Sequence, residues 1–239
     1  MNQGATEFRS MLAWNHDLAS DLDSSGFPQM EFDMLQHWQR RRIRHSYADF
    51  IARESDAPAC RFFLQKLYGG MNFRERDHEI SQVASVMTRM LPQKALHATA
   101  EALHLQGISL ELDIEMAGLL QLHGIRKIQI NVYAQTYREC GRRLAREKQI
   151  LLIRNLGHEL EELVAMPLLL RLVRLMRGPA IVAGFGQLQA FLEEGIFSFG
   201  QLEDAAAFVE AIYQREWRTM LHLFNADSSK PRSRPKFLR

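Results

Sequence analysis

A chain of 239 residues, 46% of them apolar, is long enough to bury a self-supporting core and too apolar to be intrinsically disordered. Its 30 basic and 28 acidic residues leave a net charge of +2, which argues against a surface given over to nucleic acid. The two cysteines, Cys60 and Cys140, lie far apart, so a disulfide framework and a CxxC zinc site are both excluded and a reducing cytosol is expected.

Leu, Ala, Met, Gln, Glu and Arg dominate, β-branched runs are nearly absent, and period-two alternation is hard to find. The expected fold is all-α, a bundle of about eight to ten helices. In chain order, a first helix is predicted over 5–20, followed by the loop DLDSSGF. Pro28 suits the first turn of a second helix reaching about residue 54. Its apolar stripe is Phe32, Leu35, Trp38, Ile43, Tyr47, Phe50 and Ile51. Asp56 before Ala57-Pro58 is a helix start, and the helix it opens carries RFFLQKLYGG at 61–70. Phe63, Leu67 and either Phe62 or Leu64 share an arc of that helix, Tyr68 closes it with a hydroxyl that needs a partner, and Gly69 suits the left-handed stop. A charged turn, NFRERDHE, comes next.

Helices near 78–90 and 93–105 are predicted on either side of Pro92, with Ser109 capping another over 110–123. One long periodic segment is predicted over 128–155, with Ile130, Tyr133, Tyr137, Cys140, Leu144 and Leu151 on one face. Gly157, Pro167 and Gly178-Pro179 punctuate the chain beyond it. A helix is predicted from Pro179 to about residue 194, and a last one over 203–224 with Glu203 and Asp204 at its positive end. No repeat or linker interrupts the stripes, so 1–225 reads as one domain and the basic, proline-interrupted 226–239 as a disordered tail. The first residues lack the basic-then-apolar pattern of a signal peptide, and the most apolar stretch, 163–176, contains Arg171 and Arg174 and is too short to span a bilayer. A cytoplasmic protein without membrane association is expected.

Four kinds of chemistry compete with simpler structural readings. Two E-x-x-H pairs, Glu75 with His78 and Glu101 with His104, have the spacing that di-iron bundles use, although solvated helix ends are the simpler reading of both. Arg40, Arg41, Arg42 and Arg44, the stripe Arg138, Arg142 and Arg146, and the tail are basic enough to meet phosphates, but no recognition motif accompanies them and charge runs usually form solvated faces. Neither cysteine has a flanking nucleophile signature, and no G-x-S-x-G occurs. Ala180, Ala183, Gly184 and Gln187 form a small-residue face open to another helix or to a flat ligand. Asp113, on the face of Leu110, Ile114 and Ala117, needs a partner, for which Arg76 or Arg138 is available; it is either a structural ion-pair member or part of a cavity wall.

The stretch RFFLQKLYG resembles the defining segment of a family of uncharacterised bacterial proteins named for an FFLEELY motif. Weaker pieces resemble the same group in the same order: Arg76-Asp77, Leu112-Asp113, Tyr133 and Tyr137-Arg138, Arg146 with Gln149-Ile150, Pro179-Ala180 with Ala183-Gly184, Leu188-Gln189 and Phe191-Leu192-Glu193. The likeness covers about 58–216 and departs at Gln65 and Lys66, where the motif has two glutamates. It implies a proteobacterial-type, cytosolic, helical protein and brings no reaction with it. With no recognisable catalytic constellation, the expected role is binding as a homo-oligomer or with a protein partner. The alternative is a helical enzyme or carrier with a cavity for haem, metal or a hydrophobic small molecule; nucleic-acid binding through the 40–44 run and the tail is the third. Tyr68, Arg76, Asp77, Asp113, Arg138 and Gly184 are the candidate binding residues, and Glu75, His78, Glu101 and His104 the candidate metal ligands.

Overall fold

The computed structural model describes residues 3–63, 84, 87–89, 91–182 and 186–225, and no strand occurs among them. The protein is all-α. Ten helices are described: α1 (Gln3–Asp21), α2 (Gln29–Ser46), α3 (Ala48–Ile51), α4 (Ala57–Phe62), α5 (Gln93–Leu122), α6 (Ile130–Glu139), α7 (Arg143–Val164), α8 (Pro167–Val182), α9 (Gly186–Gly200) and α10 (Ala205–Asn225). The expectations placed on Tyr68, Glu75, Arg76, Asp77, His78, Gly184 and the tail fall outside the described residues.

α5 is the axis of the bundle. Its buried residues, among them Leu96, Leu103, Ile108, Leu112, Met116 and Ala117, point in several directions, as expected of a helix covered on most sides. α1, α2 and α7 pack against it, and α10 packs in turn on α7 and α6. The contacts Lys94–Glu162, His97–Glu159 and Ser109–Gln149 descend one helix while climbing the other, so α5 and α7 run antiparallel.

Several predicted boundaries move, each for a local reason. The helix after Pro28 stops at Ser46, and Tyr47 separates it from the short α3, so nothing helical continues to 54. Ser109 starts no helix: its hydroxyl donates to the Leu105 carbonyl one turn back, at 2.7 Å, and α5 passes through it unbroken. The long segment over 128–155 is two helices, because Gly141 adopts φ +63°, a left-handed conformation that glycine takes at no steric cost. That break resets the helical phase. Tyr133 and Tyr137 stay buried, but Leu144 and Leu151 turn out to water, 80% and 41% exposed, and Ile150 and Ile153 take the core positions.

Gly157 ends nothing either. It lies inside α7 where α10 crosses, and a Cβ there would fall 2.5 Å from a Val209 methyl. Pro179 lies inside α8 and does not open a helix. The carbonyl its ring deprives of a hydrogen bond belongs to Leu175, an exposed residue that water can reach. At α10 the expectation holds, since Asp204 Oδ1 accepts from the Ala207 amide at 2.8 Å and caps the helix.

Buried apolar residues fall into three clusters. Leu105, Leu156, Phe208 and Val209 belong to the first, Leu35, Met116, Tyr133 and Met220 to the second, and Phe8, Leu12 and Leu103 to the third. A cavity of about 740 Å³ touches all three, through Leu156, Met220 and Leu103 among others.

Candidate functional site: a cavity with a charged end

The cavity follows α5 from Ala95 to Asp113, a span of roughly 27 Å at 1.5 Å per residue. Its volume lies inside the range of about 300–1,000 Å³ usual for small-molecule sites. One end is apolar, walled by Phe62, Leu163, Leu169, Val173 and Phe191. The Phe62 and Phe191 rings meet with centroids 5.2 Å apart.

The other end is polar because five helices each direct side chains to it. Spacings of three and four place residues on one helical face. α2 contributes Gln36, Gln39 and Arg42; α5 contributes Ser109 and Asp113; α6 contributes Tyr133 and Tyr137; α7 contributes Arg146 and Gln149; α10 contributes Glu216.

Asp113 accepts from Gln36 Nε2 at 2.6 Å and from Gln39 Nε2 at 2.8 Å. Burial pushes its carboxyl above the usual carboxylate range, against the pull of the Arg146 charge and the two amide donors. Arg146 bonds no carboxylate among the described residues. Its Nη1 donates to Gln149 Oε1 at 3.3 Å, its Nη2 points at the weak acceptor Met116 Sδ at 3.2 Å, and its guanidinium lies 4.6 Å from the centre of the Tyr137 ring. Gln149 in turn donates to Ser109 Oγ at 2.7 Å. Trp38 stacks on Tyr133 with ring centroids 4.0 Å apart.

Arg42 is the least satisfied member. Its side chain is 10% exposed, and its Nη2 donates to Glu216 Oε2 at 3.2 Å. The second Glu216 oxygen accepts from the Tyr47 hydroxyl at 2.7 Å. Burial works against the charge on Arg42, but Glu216 together with the Tyr133 and Tyr47 hydroxyls outweighs it, and the pKa stays above the ordinary arginine value. Arg42 Nε and Nη1 are buried and have no hydrogen-bond partner among the described residues. Two bare nitrogens on a buried cation carry a desolvation cost that an incoming acceptor would remove.

Burial also raises the pKa of the Tyr133 and Tyr137 hydroxyls, so they remain protonated. The thiols of Cys60 and Cys140 are pushed up to about 11 by the same cause. At neutral pH these groups are hydrogen-bonding or apolar contacts and not activated nucleophiles.

Of the residues singled out in the sequence, Asp113 lies in this site. Arg138 does not: its Nη1 donates to the Leu223 carbonyl at 2.8 Å and ties α6 to α10, so it is no partner of Asp113. Glu101 and His104 also diverge. His104 meets the Trp14 ring edge-on at 5.9 Å, and burial followed by the nearby Lys148 lowers its pKa. Glu101 instead joins His97 and Glu159. The arginine run does not form one basic face: Arg41 and Arg44 are exposed, while Arg40 and Arg42 line the cavity. In the second stripe, Arg142 pairs with Glu111 and Glu115, and Arg146 is buried.

Gln36, Gln39 and Glu216 are the site residues that sequence reasoning passes over, while Arg42 and Arg146 enter it as members of basic runs. A signal exists on α2. Gln39, Arg42 and Ser46 continue the phase of buried Leu35 at steps of three and four, so polar groups occupy core positions there.

No helix among the described residues is long and apolar enough to cross a membrane. No curated protein and no solved structure matches the chain. A family model does match it over residues 24–230, which include every helix from α2 to α10 and the whole charged end of the cavity. The chain belongs to the family described as a domain of unknown function, DUF8198.

Proposed function

We propose that the protein is a non-enzymatic binding protein for an amphipathic small molecule, its apolar body lying along α5 and an oxyanionic head meeting Arg42 and Arg146. The observation that carries this reading is the pair of buried nitrogens on Arg42, without a hydrogen-bond partner among the described residues, at the charged end of a cavity whose other end is walled by apolar side chains. Among the ligand classes the sequence admits, a hydrophobic small molecule fits best. No histidine or cysteine among the described residues lines the cavity, so the imidazole and thiolate ligands most used by haem iron and zinc are not at hand there. The reading takes 1–225 as one domain, supported by the meeting of Arg42 from α2 with Glu216 from α10. It places the protein in the cytoplasm, supported by the free thiols of Cys60 and Cys140.

Calorimetric titration with a long-chain carboxylate and with the alcohol of the same length tests it. The acid is expected to bind once per chain and more tightly than the alcohol. In Arg42→Met the acid should lose about 10–100-fold, the worth of a charge-assisted hydrogen bond of about 1.5–3 kcal/mol, while the alcohol changes little. Failure of both to bind, or acid binding untouched by Arg42→Met and Arg146→Met, refutes it.

A second reading, self-association, has its own observation. Leu168, Leu175 and Val182 follow one another at seven-residue steps on α8 and are 71%, 75% and 90% exposed. A heptad row of bare apolar residues is the geometry of helix pairing, and the occupant we propose is the same row of a second copy. Sedimentation of the unmodified chain should show a dimer that Leu175→Lys returns to monomer; a monomer at high concentration removes this reading.

A further inference from the structure

Away from the cavity, α1, α5 and α7 bring Glu7, His97, Glu101 and Glu159 together. His97 and Glu101 are one turn apart on α5, and the antiparallel α7 sets Glu159 against them. Side-chain ligand atoms of His97, Glu101 and Glu159 lie within 4.8 Å of one another. Lys94–Glu162 pairs in the same register one turn further along both helices.

Three features separate this cluster from an ordinary patch of surface charge. First, one oxygen on each of Glu101 and Glu159 is buried and bonds nothing among the described residues. Two carboxylates have thus been brought together, partly out of water, without a donor for either oxygen. Second, a ligand oxygen of Glu101 lies within 4.8 Å of one on Glu159, so two like-charged groups face each other across the helix pair. Third, His97 is oriented: its Nδ1 faces Glu7 Oε2 at 3.3 Å and its Nε2 faces Glu159 Oε1 at 3.4 Å. With Nδ1–H donated to Glu7, the Nε2 lone pair is available to an ion lying between it and Glu159, which is the outer-shell arrangement common at metal-bound histidines.

We infer that His97 Nε2, Glu101 and Glu159 form a binding site for a divalent first-row transition ion, with Glu7 orienting His97 from behind. Ligand atoms held about 2.0–2.2 Å from a tetrahedral ion sit about 3.4 Å apart, which is the spacing already present between His97 and Glu159. Two carboxylates cancel the charge of the ion, and its cationic field relieves the repulsion between them. The imidazole favours Zn²⁺ over Mg²⁺ or Ca²⁺. Three protein ligands leave a fourth position for water.

The test is competition for Zn²⁺ between the chelator-stripped full chain and a chromophoric chelator, with thermal melting alongside. The unmodified chain should take up one tight equivalent and melt at a higher temperature with Zn²⁺, and excess Mg²⁺ should not displace it. His97→Ala and Glu159→Gln should lose both effects. Glu7→Gln keeps all three ligands and should weaken binding by about 10–100-fold. Glu101→Gln, nearly isosteric, guards against misfolding: without metal it should melt no lower than the unmodified chain, and it should lose the Zn²⁺ response. If the unmodified chain takes up no tight equivalent, or the variants bind Zn²⁺ as it does, the cluster is an ion-pair bridge through His97 and the inference fails.

Discussion

Arg42 and Glu216, 174 residues apart, meet at 3.2 Å inside the bundle, yet the contact uses one guanidinium nitrogen and leaves two others without a partner among the described residues. The pair is therefore both a clamp between α2 and α10 and an incomplete one. The two roles separate by mutation. Glu216→Ala strands a buried cation and removes the acceptor of Tyr47, so it should cost about 3–5 kcal/mol in urea unfolding. The joint replacement Arg42→Met with Glu216→Leu removes both charges and should recover most of that loss. Equal losses in the single and joint variants would show that the clamp is not an ion pair in the folded protein.

Two helix glycines should respond in opposite directions to the same change. Gly118 in α5 has nothing near its missing Cβ, so Gly118→Ala should stabilise by about 1 kcal/mol through helix propensity alone. At Gly157 the new methyl would meet Val209 at 2.5 Å, and overpacking costs about 1–3 kcal/mol, more than propensity returns. Gly157→Ala should therefore destabilise, and adding Val209→Ala should restore much of the loss. Paired chemical denaturation curves measure both; a gain at Gly157 would mean that α7 and α10 are not in this contact.

These glycines illustrate how far the sequence can be read. Helical character, the buried face of α2 and the acidic start of α10 follow from local pattern, which residues carry individually. The role of Gly157 does not, because a glycine that permits a helix crossing looks the same in sequence as one that ends a helix. Asp113 is recognisable as a carboxylate on an apolar face, but its partners Gln36 and Gln39 lie 77 and 74 residues away and no periodicity links them. Leu144 and Leu151 depart from the predicted face because its phase runs across Gly141, whose left-handed turn is invisible to a count of spacings. The E-x-x-H motif pairs Glu101 with His104, whereas the antiparallel register of α5 and α7 pairs it with His97 and Glu159.

Glu101 also gives a pH dependence of defined sign. Its folded-state pKa is raised above the ordinary 4.5, chiefly by burial and then by Glu159. A raised value means that the folded state holds the proton more tightly, so this contribution to stability is complete below about 4.5 and is lost as pH rises through the folded value. In the presence of chelator, Glu101→Gln should therefore melt higher than the unmodified chain at neutral pH, and the gap should close as pH falls toward that range. A gap that widens on acidification would mean the carboxylate is stabilised by folding, contrary to the repulsion described.

The proposed function turns on an oxyanionic head group sitting among buried guanidinium groups at the polar end of the cavity. Carbon-13 NMR of a carboxyl-labelled long-chain acid bound to the protein measures this directly. If Arg42 and Arg146 hold the head, its resonance should keep the shift of the ionised form at pH values where the free acid has protonated, because adjacent positive charge favours the carboxylate, and Arg42→Met should move the titration back toward the free acid. A bound resonance that titrates like the free acid, or one that Arg42→Met leaves unchanged, would contradict the account.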